Sequence, residues 1–177
     1  MRKKITYVSA IFVMLNATAA QAQQNQKCIS PETAQSFITY VLPGALDAVR
    51  KQCANNLPAD AAILQLDSPQ LEKYQTDSEK AWPKASVAIR SMIGDRLPAE
   101  MDMDAFRPFV DAMVPAFLSQ EIKTSDCPTI NKVYRLLEPL PTVNLASLTV
   151  MLAQLGGKDE ENSSDKSPFN ICKTPSE

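Results

Sequence analysis

The chain contains no histidine, and that one absence removes more chemistry than any residue present suggests. Without imidazole there is no Ser-His-Asp or Cys-His nucleophile, no histidine metal ligand, no histidine-ligated haem and no histidine pH switch. Glycine is nearly as scarce, with Gly44, Gly94, Gly156 and Gly157 making up the full set of four. Gly-rich loops that cradle phosphates, and tight β-hairpins, have little to form from. Aromatic residues are 6% of the chain, with one tryptophan, too few to line a sugar-stacking cleft. No segment alternates apolar and polar residues as a half-buried strand does. The remaining composition, in which Ala, Leu, Gln and Glu are frequent, favours helices.

What is present first fixes a compartment. Arg2, Lys3 and Lys4 precede an apolar stretch from Ile5 to Leu15, and Ala20-Gln21-Ala22 offers a small-x-small cleavage site. The apolar stretch is too short to span a bilayer, and the pattern is that of a secretory signal over residues 1–22. Asn25-Gln26-Lys27, just before Cys28, is polar and unlike the apolar lipobox of a lipidated cysteine. A mature chain beginning near Gln23 is expected, 155 residues long once 22 of the 177 are removed. That is enough for one domain with its own core. Removing the three basic residues of the signal leaves 15 Lys and Arg against 20 Asp and Glu, a net of −5. This acidity argues against nucleic acid or an anionic membrane as partner, and no transmembrane segment is expected in the mature chain. Cys28, Cys53, Cys127 and Cys172 all lie in the exported part, where oxidising conditions favour two structural disulfides. The expected location is the periplasm or outside the cell.

Proline then dominates the reading of the helices. Ser30-Pro31-Glu32 combines an N-cap, a proline at the first helical position and an acid in the first turn. From there Phe37, Ile38, Val41, Leu42, Ala45, Leu46, Val49 and Cys53 keep helical spacing straight through Pro43-Gly44, which would ordinarily mark a turn. Ser68-Pro69 opens a second pattern through Leu71, Tyr74, Ser78, Trp82, Ala85, Ile89 and Ile93, interrupted but not dephased by Pro83. A third, from Asp104, runs through Phe106, Phe109, Val110, Met113, Val114, Phe117, Leu118 and Ile122 across Pro108 and Pro115. Phase kept across internal prolines predicts kinked continuous helices, each proline costing about 3 kcal/mol of intrinsic preference that packing must offset. Pro58 to Leu66 supplies one short helix, and Leu97-Pro98-Ala99 opens a loop to about Asp102. A helix capped by Ser125 or Asp126 follows from Pro128 to Glu138, stopped by Pro139 and Pro141. Asn144 caps a last helix in which Leu145, Leu148, Leu152 and Leu155 repeat at 3, 4 and 3, closed by Gly156-Gly157. Residues 23–157 form the helical domain on this reading. Residues 158–177 form a polar tail whose Lys158–Ser167 portion has no apolar residue and which returns to the body through Phe169, Ile171 and Cys172.

The cysteine pairing depends on the first kink. If Pro43-Gly44 is a turn, two short helices bring Cys53 back beside Cys28. If the helix continues, a rise of about 1.5 Å per residue separates them by more than roughly 35 Å, far beyond the ~7 Å between Cα atoms that a disulfide tolerates. Cys53 would then pair with Cys127 or Cys172. Phase continuity leans toward the second case, and all three connectivities stay open at this level.

Three groups of residues invite a chemical reading. Glu100, Asp102 and Asp104, interleaved with Met101 and Met103, could offer thioethers to Cu(I) or carboxylates to Ca²⁺. An EF-hand, however, would need an oxygen ligand where Phe106 sits and a glycine where Arg107 sits. The plainer reading is a helix start with acids at the positive end of the dipole. Asp111, Glu121 and Glu79 could run a glycosidase without histidine, since that reaction needs only two carboxyl groups, yet such acids are ordinary on amphipathic helices. Ser163-Ser164-Asp165-Lys166 matches Ser-x-x-Lys, but a lysine in a solvated acidic tail keeps its proton and cannot activate the serine. Trp82, beside the Pro83 kink, either borders an apolar pocket or fills the gap the kink leaves; filling is preferred.

Cys28-Ile29-Ser30-Pro31, Ala81-Trp82-Pro83, Leu137-Glu138-Pro139-Leu140-Pro141 with Asn144-Leu145-Ala146, and Pro168-Phe169-Asn170-Ile171-Cys172 together resemble small exported bacterial four-cysteine helical proteins. The resemblance spans most of the mature chain and implies architecture alone, with no activity or cofactor attached. The expectation is an all-α single domain of about five or six helices, several kinked at proline, with two disulfides. No catalytic, cofactor-binding or metal residue is assigned. The expected role is a non-catalytic interaction or binding protein with an envelope protein as candidate partner. A small hydrolase using carboxylates, or a carrier of an apolar ligand, is the alternative.

Overall fold

In the computed structural model, residues 28–156 and 171–172 are described here. The expected signal at 1–22 and the polar run with Ser163 and Lys166 lie outside them. Ser30 starts the first helix: its hydroxyl accepts the Thr33 N–H at 3.2 Å, Pro31 occupies the first turn, and α1 runs unbroken through Pro43 from Pro31 to Cys53. Ser68 repeats the device, accepting from Leu71 N–H at 3.2 Å, and α2 spans Pro69–Ile93 with Pro83 inside it. Gly94 ends α2 at φ +61°, where a side chain would be strained. Asp102 caps α3 (Met103–Glu121), which carries both Pro108 and Pro115 internally. The short α4 covers Cys127–Leu137 and α5 covers Thr142–Gly156. Between them lie 3-10 turns at Ala62–Leu64, Gly94–Arg96 and Thr124–Asp126. The fold is all-α, and Pro43 is a kink within one helix.

Helix α1 is the hub, packing against α2, α3 and α5. Its main core joins Phe37 and Tyr40 to Trp82, Ala85, Ala88 and Ile89 of α2 and Val110 of α3. A second cluster gathers Ile29, Ala34 and Val150, with Ile171 against it. The kink in α1 is accommodated by its neighbours. Pro43 has no N–H to give the carbonyl one turn back, and in that stretch the buried Ser78 hydroxyl donates to the Tyr40 carbonyl at 2.7 Å. Gly44 lets α3 approach: a Cβ there would meet Pro115 Cγ at 3.2 Å.

The unbroken helix keeps Cys28 and Cys53 apart. Cys53, at the end of α1, joins Cys127 at the start of α4, with Cα atoms 5.5 Å apart. Cys28 joins Cys172 at 4.9 Å. There the Cys172 N–H donates to the Ile29 carbonyl at 2.9 Å, the chain's return forming a single parallel bridge between Ile29 and Ile171. Helix α4 is held chiefly by its cystine and by Asn131, which accepts the Ile63 N–H at 3.1 Å.

Two helices differ from their sequence patterns. The apolar stripe of α3 buries Val110 alone, while Phe109, Met113 and Phe117 stay exposed. Helix α5 begins at Thr142, ahead of Asn144, and turns Leu148, Leu152 and Leu155 outward, with Leu145 half-buried. Its fully buried positions are Thr142, Ala146 and Val150, four residues apart. Small residues face α1 because α5 lies close against it, with Gln35 Nε2 donating to the Val143 carbonyl at 3.0 Å and to Ser147 Oγ at 2.9 Å.

Candidate functional site

Of three acids singled out in the sequence, Glu79 and Asp111 meet Arg107, and Asp104 meets Trp82 beneath it. Each sits four residues before a proline: Pro83, Pro108 and Pro115. Positions i and i+4 share a helix face, so each acid projects beside the kink its proline makes. Arg107 donates to Glu79 Oε1 at 2.5 Å and through Nε to the Tyr40 hydroxyl at 3.3 Å. Its Nε also lies 4.0 Å from Asp111. The guanidinium stands over two rings, 5.5 Å from the centroid of Tyr40 and 5.2 Å from that of Trp82, within cation-π range. Tyr40 and Trp82 are themselves in contact at 4.8 Å.

Every acid of the cluster has a partner. The Tyr40 hydroxyl donates to Asp111, and Trp82 Nε1 donates to Asp104 at 2.5 Å. Burial first, then the bond to Asp111, pushes the Tyr40 phenol above its ordinary pKa. The bond to Glu79 raises the Arg107 guanidinium, so its charge is permanent. The arrangement fastens α3 to α1 and α2: a planar cation lies over two adjoining aromatic rings and is bonded to a carboxylate at its edge. In the sequence Arg107 stands out only as the residue at the position where an EF-hand needs glycine. The signal that could have located it is the thrice-repeated acid four residues before a proline.

The remaining candidates do not join. Asp102 serves as the α3 cap, accepting the Asp104 N–H at 2.9 Å. Met101 contributes its carbonyl, which accepts from Arg90, and Met103 packs against the main core. Glu100 and Glu121 are exposed. Among the described residues no group of three His, Cys, Asp or Glu is placed to hold a metal ion. Trp82 is 7% exposed and is packed within the main core. An open depression of about 400 Å³ lies beside the cluster, lined by Pro43, Gln75, Thr76, Ser78 and Glu79.

The second candidate is apolar surface. On α3, Phe109, Met113 and Phe117 are exposed at intervals of four, and Phe106 touches Phe109 with centroids 5.0 Å apart. On α5, Leu148, Met151, Leu152 and Leu155 are exposed on the side away from α1. Helix α5 carries no charged residue anywhere along Thr142–Gly156. Exposed apolar surface gathered in this way marks interaction sites. No described helix is long and apolar enough to cross a membrane. No family model matches the chain, and no curated protein or solved structure is significantly similar to it.

Proposed function

We propose that this is an exported, non-catalytic binding protein of the periplasm or cell exterior, acting through the outward apolar faces of α3 and α5. The observation that carries the reading is the inversion of α5, which turns Ala146 and Val150 to the core and Leu148, Leu152 and Leu155 to solvent. Selection for solubility alone would place the large apolar residues the other way round. Two disulfides suit an oxidising compartment. Of the acids that could have served a hydrolase, Glu79 and Asp111 are engaged by Arg107 and Tyr40, Glu121 lies apart from them, and the neighbouring depression is open.

The test compares the chain with its Phe109→Ser/Met113→Ser/Phe117→Ser variant. Circular dichroism should be unchanged, since these residues are exposed, while capture of a defined partner from an envelope fraction should be lost. N-terminal sequencing of the exported protein should begin near Gln23. Turnover of a glycoside that Asp111→Asn abolishes would overturn the non-catalytic reading.

A further inference from the structure

We propose that the Cys28–Cys172 cystine is a thiol–disulfide exchange site: a dithiol opens it in the folded protein and unclasps Ile171 from the junction of α1 and α5, while Cys53–Cys127 stays closed. The exchange site is independent of the outward apolar faces of α3 and α5.

The two cystines differ in what surrounds them. Cys53 and Cys127 are both 0% exposed, enclosed where the end of α1 meets the start of α4. A thiolate must reach one sulfur of a disulfide to displace the other, so this pair is out of reach until α4 lifts. Cys28, by contrast, is exposed and Cys172 half-buried. Here a thiolate meets the cystine at the surface of the folded chain. Access of that kind separates labile cystines from inert ones.

Little else holds the segment that this cystine closes. Among the described residues, Ile171 and Cys172 meet the body through one parallel bridge to Ile29, in which the Cys172 N–H donates to the Ile29 carbonyl at 2.9 Å. Gln154 Nε2 donates to the Cys172 carbonyl at 3.2 Å, and Ile171 packs on the cluster of Ile29, Ala34 and Val150. The cystine ties these few contacts across a sequence separation of 144 residues. Once it opens, they must order the segment on their own, and two hydrogen bonds with one half-buried isoleucine do not offset that loss of chain entropy. Ile171 then leaves, and Ile29, Ala34 and Val150, buried while the clasp is shut, are uncovered.

The reaction needs only a dithiol. Its thiolate attacks Sγ of the exposed Cys28. The bond to Cys172 breaks as a mixed disulfide forms, and the Cys172 sulfur leaves with the electron pair and takes up a proton. The second thiol of the reductant gives up its proton and displaces Cys28 from the mixed disulfide. Two electrons and two protons have then passed to the cysteine pair, and the dithiol has become a disulfide. Return is equally defined. The chain has four cysteines, and with Cys53 still bonded to Cys127 the released thiols have only each other as partner.

Dithiothreitol at about pH 8, without denaturant and on the chain with both disulfides formed, tests the proposal when followed by alkylation and peptide mapping. Cys28 and Cys172 should be alkylated roughly a hundredfold faster than Cys53 and Cys127. The helical circular dichroism signal should persist, and the Cys172 amide should lose its protection from hydrogen exchange. Oxidised glutathione should afterwards restore the Cys28–Cys172 pair alone. Equal rates for the two cystines, or helicity lost with the first of them, overturn the proposal. So does a Cys172 amide that stays protected after reduction, and so does reoxidation into any other pair.

Discussion

Gly44 of α1 faces Pro115 of α3 so closely that a β-carbon on the glycine would stand 3.2 Å from the proline ring. Two helices kinked by their own prolines thus touch at the kinks. Gly44→Val should destabilise the fold by about 1–3 kcal/mol through overpacking. Adding Pro115→Ala, which removes the opposing ring, should recover much of that loss. Urea midpoints for the two single variants and the double variant give the coupling, and an additive cycle would contradict the contact.

Arg107 should matter more than any one of its acids. Arg107→Ala removes a guanidinium stacked on Tyr40 and Trp82 as well as its hydrogen bonds, an expected loss of about 1–3 kcal/mol. Glu79→Ala should cost less than about 1 kcal/mol, because that side chain is 67% exposed. Arg107→Lys should not rescue, since an ammonium cannot reproduce the planar fork. The only tryptophan lies beneath the guanidinium, so its emission reports both the local change and the unfolding midpoint.

Alkali should unfold the protein where neutral pH changes nothing. Burial and Asp111 raise the Tyr40 phenol above its ordinary pKa, and burial raises Tyr74 likewise. The folded state therefore holds these protons more tightly than the unfolded chain. The stabilisation is complete below the unfolded tyrosine value of about 10 and is lost as pH rises from there through the folded values. With no histidine to titrate, stability should be flat between about pH 6 and 8. Denaturation midpoints measured from about pH 6 to above pH 10 check both statements, and Tyr40→Phe should reduce the alkaline loss.

The two cystines should differ in what they hold. Replacing Cys53 and Cys127 with alanine opens a 74-residue loop, an expected cost of roughly 3–5 kcal/mol. It also frees α4, whose other anchor is the bond from Ile63 N–H to Asn131. Limited proteolysis should then cut near α4 first. Replacing Cys28 and Cys172 should release the Ile29 and Ile171 pairing and leave α4 protected. Non-reducing peptide mapping should return these two pairs; a Cys28 to Cys53 link would contradict the continuous α1.

The helices were legible because phase is a local property. Apolar residues on either side of Pro43, Pro83, Pro108 and Pro115 kept one register, and the structure keeps one helix through each. Direction was harder. The leucines of α5 announce a stripe, but which side of a helix meets the core depends on how closely it can approach its neighbour. Ala146 at α1 permits a closer approach than Leu148 would. The cluster around Arg107 was legible only in pieces. Glu79, Asp104 and Asp111 were noticed, but no spacing rule links residue 40 to 107 or 111; the α1 and α3 packing does.

The nested cystines bear on assembly order. If the chain is exported as proposed, entering an oxidising compartment N-terminus first, Cys28 and Cys53 are presented before either native partner has arrived. If those two thiols met, the result would be a trapped isomer. Once α1 forms, its 23 residues hold the two apart by about 1.5 Å per residue, so the helix acts as a spacer against premature oxidation. The inner ring through Cys127 can close next, and the outer one only when Cys172 emerges.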